Sequence, residues 1–204
     1  MSKFDYKKAL KDLYFPSVNK LVFVDIPPLN YLMINGHGDP NTSSEFQEIC
    51  NALYSMAYTA KFALKKSGFD FVVPPLEGLW WMENMAEFSP ETKDRWDWTM
   101  MIMIPETVTR ELVESARSDL AEKKPLTFLS SLRYQTYHEG LCVQTMYIGA
   151  YSDEGPTIAN MHVFIAEQGY EPNGKHHEIY LGDPRRNPPE KLKTVIRQPI
   201  RKIN

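Results

Sequence analysis

The chain has 204 residues, a formal net charge of −3 and a sequence pI of about 6.0, with 43% hydrophobic and 24% charged residues. That balance argues against a basic nucleic-acid surface, and no apolar run approaches the ~20 residues of a membrane span. The two cysteines, Cys50 and Cys142, lie far apart and form no Cys-x-x-Cys pair. They argue against a disulfide framework or a zinc site and fit a reduced cytoplasm, and the N-terminus lacks the apolar core of a signal peptide.

Residues 1–19 form a lead containing a short helix over Lys3–Leu13. The β-formers of Leu21–Val24 and Leu29–Asn35, separated by Pro27-Pro28, predict two strands. Gly36-His37-Gly38 then breaks the chain. It lacks the third glycine and the Lys-Ser/Thr of a phosphate loop, and is a tight turn into a helix. Ser43 or Ser44 caps that helix, which runs to about Lys66. Phe46, Ile49, Cys50, Leu53, Ala57, Ala60 and Leu64 recur in it at three- and four-residue steps, giving an apolar face, and Gly68 ends it. Strands are expected at 78–83 and 95–104, then a helix over 105–123 opened by Pro105. Strands at 132–137 and 140–148 read as a hairpin. A helix over 153–167, stopped by Gly169, and strands at 176–181 and 193–198 complete the chain.

One order occurs twice, about a hundred residues apart: strand, glycine turn, helix, a glycine–aromatic stop (Gly68-Phe69, Gly169-Tyr170), two strands. The expected fold is therefore α+β, a duplicated β-α-β-β module with pseudo-twofold symmetry. The units are 20–104 and 132–204, joined by a connector over 105–131. Antiparallel sheets would flank a ligand groove, with helices on the outer faces.

The most informative stretch is His176-His177-Glu178-Ile179-Tyr180-Leu181-Gly182-Asp183-Pro184-Arg185-Arg186. In a strand, His176, Glu178 and Tyr180 share one face, and His177, Ile179 and Leu181 the other. A carboxylate in mid-strand is costly to bury unpaired. Glu178 either lines a pocket or bridges to Arg185 or Arg197. His176 and His177 point opposite ways, so no metal site is expected. Aromatic residues make up 12% of the chain, and each has a packing reading beside a ligand-binding one. Trp80 and Trp81 diverge, so one is core and the other available to ligand. Trp98 lies on a face with Met100, Ile102 and Ile104. Tyr54 and Tyr58 flank the long helix, and Tyr147 ends a strand near the expected groove. Cys142 reads as a buried strand cysteine rather than a nucleophile.

The segments Pro74-Pro75-Leu76-Glu77-Gly78-Leu79-Trp80-Trp81, Glu139-Gly140-Leu141-Cys142-Val143-Gln144, His176–Arg186 and Lys193-Thr194-Val195-Ile196-Arg197-Gln198-Pro199 resemble the stand-alone GyrI-like small-molecule-binding proteins. These are relatives of the effector domains of multidrug-sensing regulators, and Glu-Ile-Tyr-Leu-x-Asp-Pro is the most specific part. The chain departs from the family's pattern at Tyr147, where a His is common, and at Ala150, where a Pro is. The resemblance implies the duplicated module and a pocket for bulky aromatic, often cationic, compounds with Glu178 at its floor. It also implies, as in some free-standing members, hydrolysis of cyclopropane-bearing genotoxic alkylators. The expected catalytic residues are Glu178, Tyr180 and Tyr147, with Trp80, Trp81, Trp98, Tyr54, Tyr58 and His176 holding ligand. The alternative is a binding protein that sequesters or senses cationic aromatics without turnover. No cofactor, nucleic acid or membrane is expected, the nineteen-residue lead being too short for a helix-turn-helix. A monomer or a homodimer would serve.

Overall fold

The computed structural model describes residues 3–18 and 20–203. Among them the elements in chain order are α1 (Tyr6–Ala9), α2 (Lys11–Tyr14), β1 (Val22–Ile26), β2 (Leu29–His37), α3 (Ser44–Lys66), β3 (Leu76–Trp81), β4 (Asp97–Ile104), α4 (Arg110–Lys123), β5 (Arg133–Tyr137), β6 (Gly140–Ile148), α5 (Gly155–Glu167), β7 (Tyr170–Pro172), β8 (His176–Tyr180) and β9 (Lys193–Lys202). Short 3-10 turns lie between some of them. The expected lead helix is two short ones, and β7 was not foreseen. Among the described residues no helix is long and apolar enough to cross a membrane.

The chain forms two compact units. One comprises the residues through Tyr6 with Leu29–Tyr137, the other Lys7–Pro28 with His138 onward. The first has an antiparallel sheet in the order β5-β2-β4-β3, with Leu32 opposite Tyr134, Met33 opposite Met101 and Trp80 opposite Trp98. Helix α3 packs on β2 and β4. The Ser43 hydroxyl caps it by accepting from the Phe46 N–H. Its buried stripe is Ile49, Leu53, Met56, Ala57, Ala60 and Leu64. Each fully buried large aliphatic side chain contributes about 1.5–3 kcal/mol. Lys61 also falls on that stripe, and its ammonium is met by the Asp70 carboxylate and the Phe71 carbonyl. Helix α4, expected as a connector, packs on α3 within this unit. It starts later than Pro105 suggests, because Thr109 caps it and Pro105–Val108 is a separate turn.

The second unit has the antiparallel order β1-β6-β9-β8, with β7 along the far end of β9. The inner orders β2-β4-β3 and β6-β9-β8 match, but the outer strand follows them in the chain in the first unit (β5) and precedes them in the second (β1). The pairing of 132–137 with 140–148 as a hairpin is not what forms: β5 pairs with β2, and β6 with β1 and β9. The reason lies in the link between them. Glu139 is drawn into a buried ion network, which commits the chain to leave one sheet and enter the other.

That network holds one face of the second sheet. The Glu139 carboxylate accepts from Arg197 Nη1 at 3.0 Å and lies 2.9 Å from His177 Nδ1. Arg197 Nε and Nη2 each reach Gln144 Oε1 at 3.1 Å, and Nη2 also donates to the Leu13 carbonyl at 2.8 Å. Gln144 Nε2 donates to the Asp12 carbonyl at 2.6 Å, so α2 is tied down over this face. Burial alone would raise the Glu139 carboxyl, but the His177 and Arg197 charges outweigh it and hold the group at about 2. The opposite face carries Val143, Ile196 and Ile200, covered by Met161 and Ile165 of α5.

Candidate active site

Strand alternation places His176, Glu178 and Tyr180 on the face that α5 covers, opposite Ile196 and Thr194 of β9. The Tyr180 hydroxyl donates to Glu178 Oε2 at 2.7 Å. His176 Nε2 lies 3.3 Å from Glu178 Oε1. The Glu178 side chain keeps 15% of its surface exposed, whereas His176 keeps 3%. Tyr151, in the turn before α5, meets the Tyr180 ring edge-on at 5.4 Å. Arg197 stands opposite His177 and so projects from the other face, and Arg185 pairs with Asp183.

Glu154, at the N-cap of α5, completes the group and escaped the sequence reading. It is only 3% exposed. Burial first, and the Glu178 carboxylate second, push its carboxyl up to about 9, against a smaller lowering by the Thr194 hydroxyl. A helix N-terminus favours an anion by about 0.3–1 kcal/mol. That is less than one pKa unit, about 1.4 kcal/mol, so desolvation wins and Glu154 keeps its proton at neutral pH. His162, two helical turns along α5, is held below the ordinary histidine range by burial and by His176.

Tyr147 stands on the same face, opposite Thr194. Its hydroxyl donates to the Ala150 carbonyl at 3.2 Å, and its ring lies over Gly149. Burial, then Asp153 and Glu154, raise its pKa. The second unit therefore gathers Glu178, Tyr180, His176 and Tyr147, and adds Glu154, Thr194 and Tyr151.

The remaining expected residues belong to the first unit. Trp98 is fully buried, donates Nε1–H to the Gly38 carbonyl at 3.0 Å and meets Phe46 edge-on. Trp80 is 5% exposed and packs on Trp96 and Trp98, which makes it the core member of the Trp80–Trp81 pair. Trp81 is half-buried, as is Tyr54; Tyr58 is exposed and stacked with Phe62 on α3. Cys142 is buried, which raises its thiol, with its sulfur 3.4 Å from the Gly140 carbonyl.

The chain is 40% identical to an uncharacterised conserved protein from Listeria innocua, covering 98% of this chain and 100% of that one with a TM-score of 0.91. It is 39% identical to a Listeria innocua protein described as a hydrolase, with the same coverage and a TM-score of 0.88. The C-terminal domain of EcmrR shares the fold at 11% identity, with a TM-score of 0.62 over 90% of this chain and 98% of that domain. No protein of curated function matches. The GyrI-like small molecule binding domain matches residues 20–201, nearly the whole chain, and the protein belongs to that family.

Proposed function

We propose that the protein is a hydrolase that binds bulky, flat, lipophilic molecules and opens a strained, electrophilic cyclopropane with water. The observation that carries this reading is the pairing of two carboxyl groups in different surroundings: Glu154 is 3% exposed at the N-cap of α5, where burial raises its pKa, while the partly exposed Glu178 accepts a hydrogen bond from Tyr180 at 2.7 Å. The hydrolase description of a relative 39% identical supports it.

In the reaction, Glu178 takes a proton from a water whose oxygen bonds to the ring methylene. The ring carbon–carbon bond breaks, and its electron pair moves into a conjugated carbonyl, whose oxygen takes the proton of Glu154. Proton transfer from Glu178 to the adjacent Glu154 resets the pair. The sum is addition of one water. Tyr180 orients the base, and Tyr151 and Tyr180 offer flat faces beside it. General acid–base help of this kind is worth about 10²–10⁴ in rate. Ring strain in the substrate lowers the demand on the enzyme. Incubating the protein with a cyclopropane-bearing alkylator should yield a product heavier by one water. An unchanged alkylator at full protein concentration rejects the hydrolytic reading.

A second reading, binding of cationic aromatics without turnover, is favoured by one observation. Glu178 keeps 15% of its surface exposed beside the Tyr180 ring, where a ligand cation can meet the carboxylate. It predicts tight binding of cationic dyes by a protein that leaves alkylators intact.

A further inference from the structure

Three buried polar atoms on the α5-covered face of the second unit lack a well-formed hydrogen bond in the protein: Thr145 Oγ1, Thr194 Oγ1 and Glu154 Oε1, although the Thr194 hydroxyl approaches the Glu154 carboxyl. Thr145 and Thr194 are 1% and 0% exposed, and Glu154 3%. Buried hydroxyls and carboxyls without a partner are rare in folded proteins because the desolvation they suffer is not repaid. Valine would fill the same space at either threonine without that cost.

The three atoms lie in sequence. Thr145 is opposite Ile196, and Thr194 is opposite Tyr147, so the two threonines are diagonal neighbours on paired strands and project to the same side. Diagonal residues stand about 7–8 Å apart at Cα and closer at their side chains. One water, with a hydrogen bond of about 2.8 Å to each hydroxyl, spans that gap. Beyond Thr194 comes the Glu154 carboxyl, which the Thr194 hydroxyl is close enough to influence. At the other end Thr145 floors an open cavity of 240 Å³, shared with Leu21, Pro156, Thr157 and Asn160. Water occupies about 30 Å³ in the liquid, so the cavity has room for several. The core cluster on this face is otherwise mostly apolar, with Val143, Ile196, Ile158 and Met161 beside Tyr147.

We infer that Thr145, Thr194 and Glu154 line a water inlet that runs from the cavity beneath the first turns of α5 to the back of the carboxyl pair. A flat ligand lying over the exposed edge of Glu178 shuts out solvent there, yet each hydrolytic cycle consumes a water. A second path behind the acids supplies it. The inlet's role in turnover rests on the hydrolytic reading; its existence rests on the three atoms alone.

Thr145→Val and Thr194→Val test it through the sign of a stability change. Dry, unpartnered hydroxyls replaced by methyls leave the melting temperature unchanged or higher. Hydroxyls that hold water lose a partner, and the melting temperature falls by about 2–4 °C. A high-resolution crystal structure should show ordered water within hydrogen-bonding distance of both threonines in the wild type, lost at the substituted position in each variant. Higher or unchanged melting temperatures, with no water density between Thr145 and Glu154, overturn the inlet. Asn160→Phe blocks the cavity mouth on the exposed side of α5. It should lower kcat for an alkylator at least threefold with KM unchanged, and full kcat in that variant overturns the supply role. If the wild type hydrolyses nothing, the proposed function fails, while the inlet still stands or falls on melting temperature and density.

Discussion

Glu154 is buried beside Glu178, the first carried in by the N-cap of α5 and the second by the middle of β8. Two carboxylates in contact cannot both ionise cheaply, so one proton stays with the pair, and the more buried Glu154 keeps it. In the proposed reaction the same residue type would serve as acid and as base, distinguished only by surroundings.

Glu178→Gln separates the two functional readings. Gln keeps the shape and can still accept from Tyr180, but it cannot take a proton. With an alkylator, kcat should drop at least tenfold while affinity for a neutral aromatic ligand is retained. A pure cation binder instead loses affinity for cationic dyes and has no turnover to lose. Unchanged kcat and unchanged dye affinity together would remove Glu178 from the site.

Glu154 imposes a pH dependence on stability whose sign follows from its raised pKa. In the unfolded chain the carboxyl titrates near 4.3; folded, it titrates at about 9. Between those values the folded state binds the extra proton, so stability falls as pH rises. At pH 7 the cost reaches about 4 kcal/mol as an upper limit. Glu154→Gln removes it. Thermal melts should show the variant more stable than wild type at pH 8, with the difference shrinking toward pH 5. A variant equally destabilised at both pH values contradicts the buried neutral acid.

The face shared by His176, Glu178 and Tyr180 was legible because a strand has a period of two, and no packing detail can change that parity. Glu154 was not legible. Acids at helix starts are commonplace for their interaction with the helix dipole, and Asp153-Glu154-Gly155-Pro156 carries no mark that the second acid turns inward. The choice between a pocket and a bridge to Arg197 needed register, since only the pairing of Arg197 with His177 sends the guanidinium to the other face. The inner orders β2-β4-β3 and β6-β9-β8 follow the repeated element pattern, whereas the exchange of the outer strands β1 and β5 left no mark in it. The partners of 132–137 and 140–148 were not, because a short link suggests a hairpin unless a buried Glu139 is known to sit in it.

Glu139 should protect the fold against acid, with the sign opposite to that of Glu154. Its pKa is depressed from about 4.3 in the unfolded chain to about 2. Its contribution is complete above the unfolded value and disappears as pH falls through the folded one. Breaking a buried ion network from one side costs about 3–5 kcal/mol. Glu139→Gln should therefore lower the denaturation midpoint strongly at pH 7, while the gap to wild type narrows between pH 4.5 and pH 2. A constant gap across that window would show that the carboxylate's charge is not what stabilises the network.

Gly36 is required by the ring it accommodates. A Cβ at this position would lie 2.0 Å from Trp98 Cη2 and 2.3 Å from Cζ3. Trp98 cannot move aside, because its Nε1–H is bonded to the Gly38 carbonyl and Phe46 and Trp80 close on its ring. The corresponding row in the second unit, Tyr147 opposite Thr194 opposite Tyr180, has a large side chain at the first strand and a small one in the middle. The first unit reverses this as Gly36 opposite Trp98 opposite Trp80. One row packs tightly against α3, while the other leaves room for hydroxyls and acids. Gly36→Ala should cost about 1–3 kcal/mol as an overpacked core does. The double variant Gly36→Ala/Trp98→Phe should recover part of that loss, because the smaller ring relieves the clash. Chemical denaturation of the two variants measures both. Equal stability of Gly36→Ala and wild type would mean that the Trp98 ring is not held against β2.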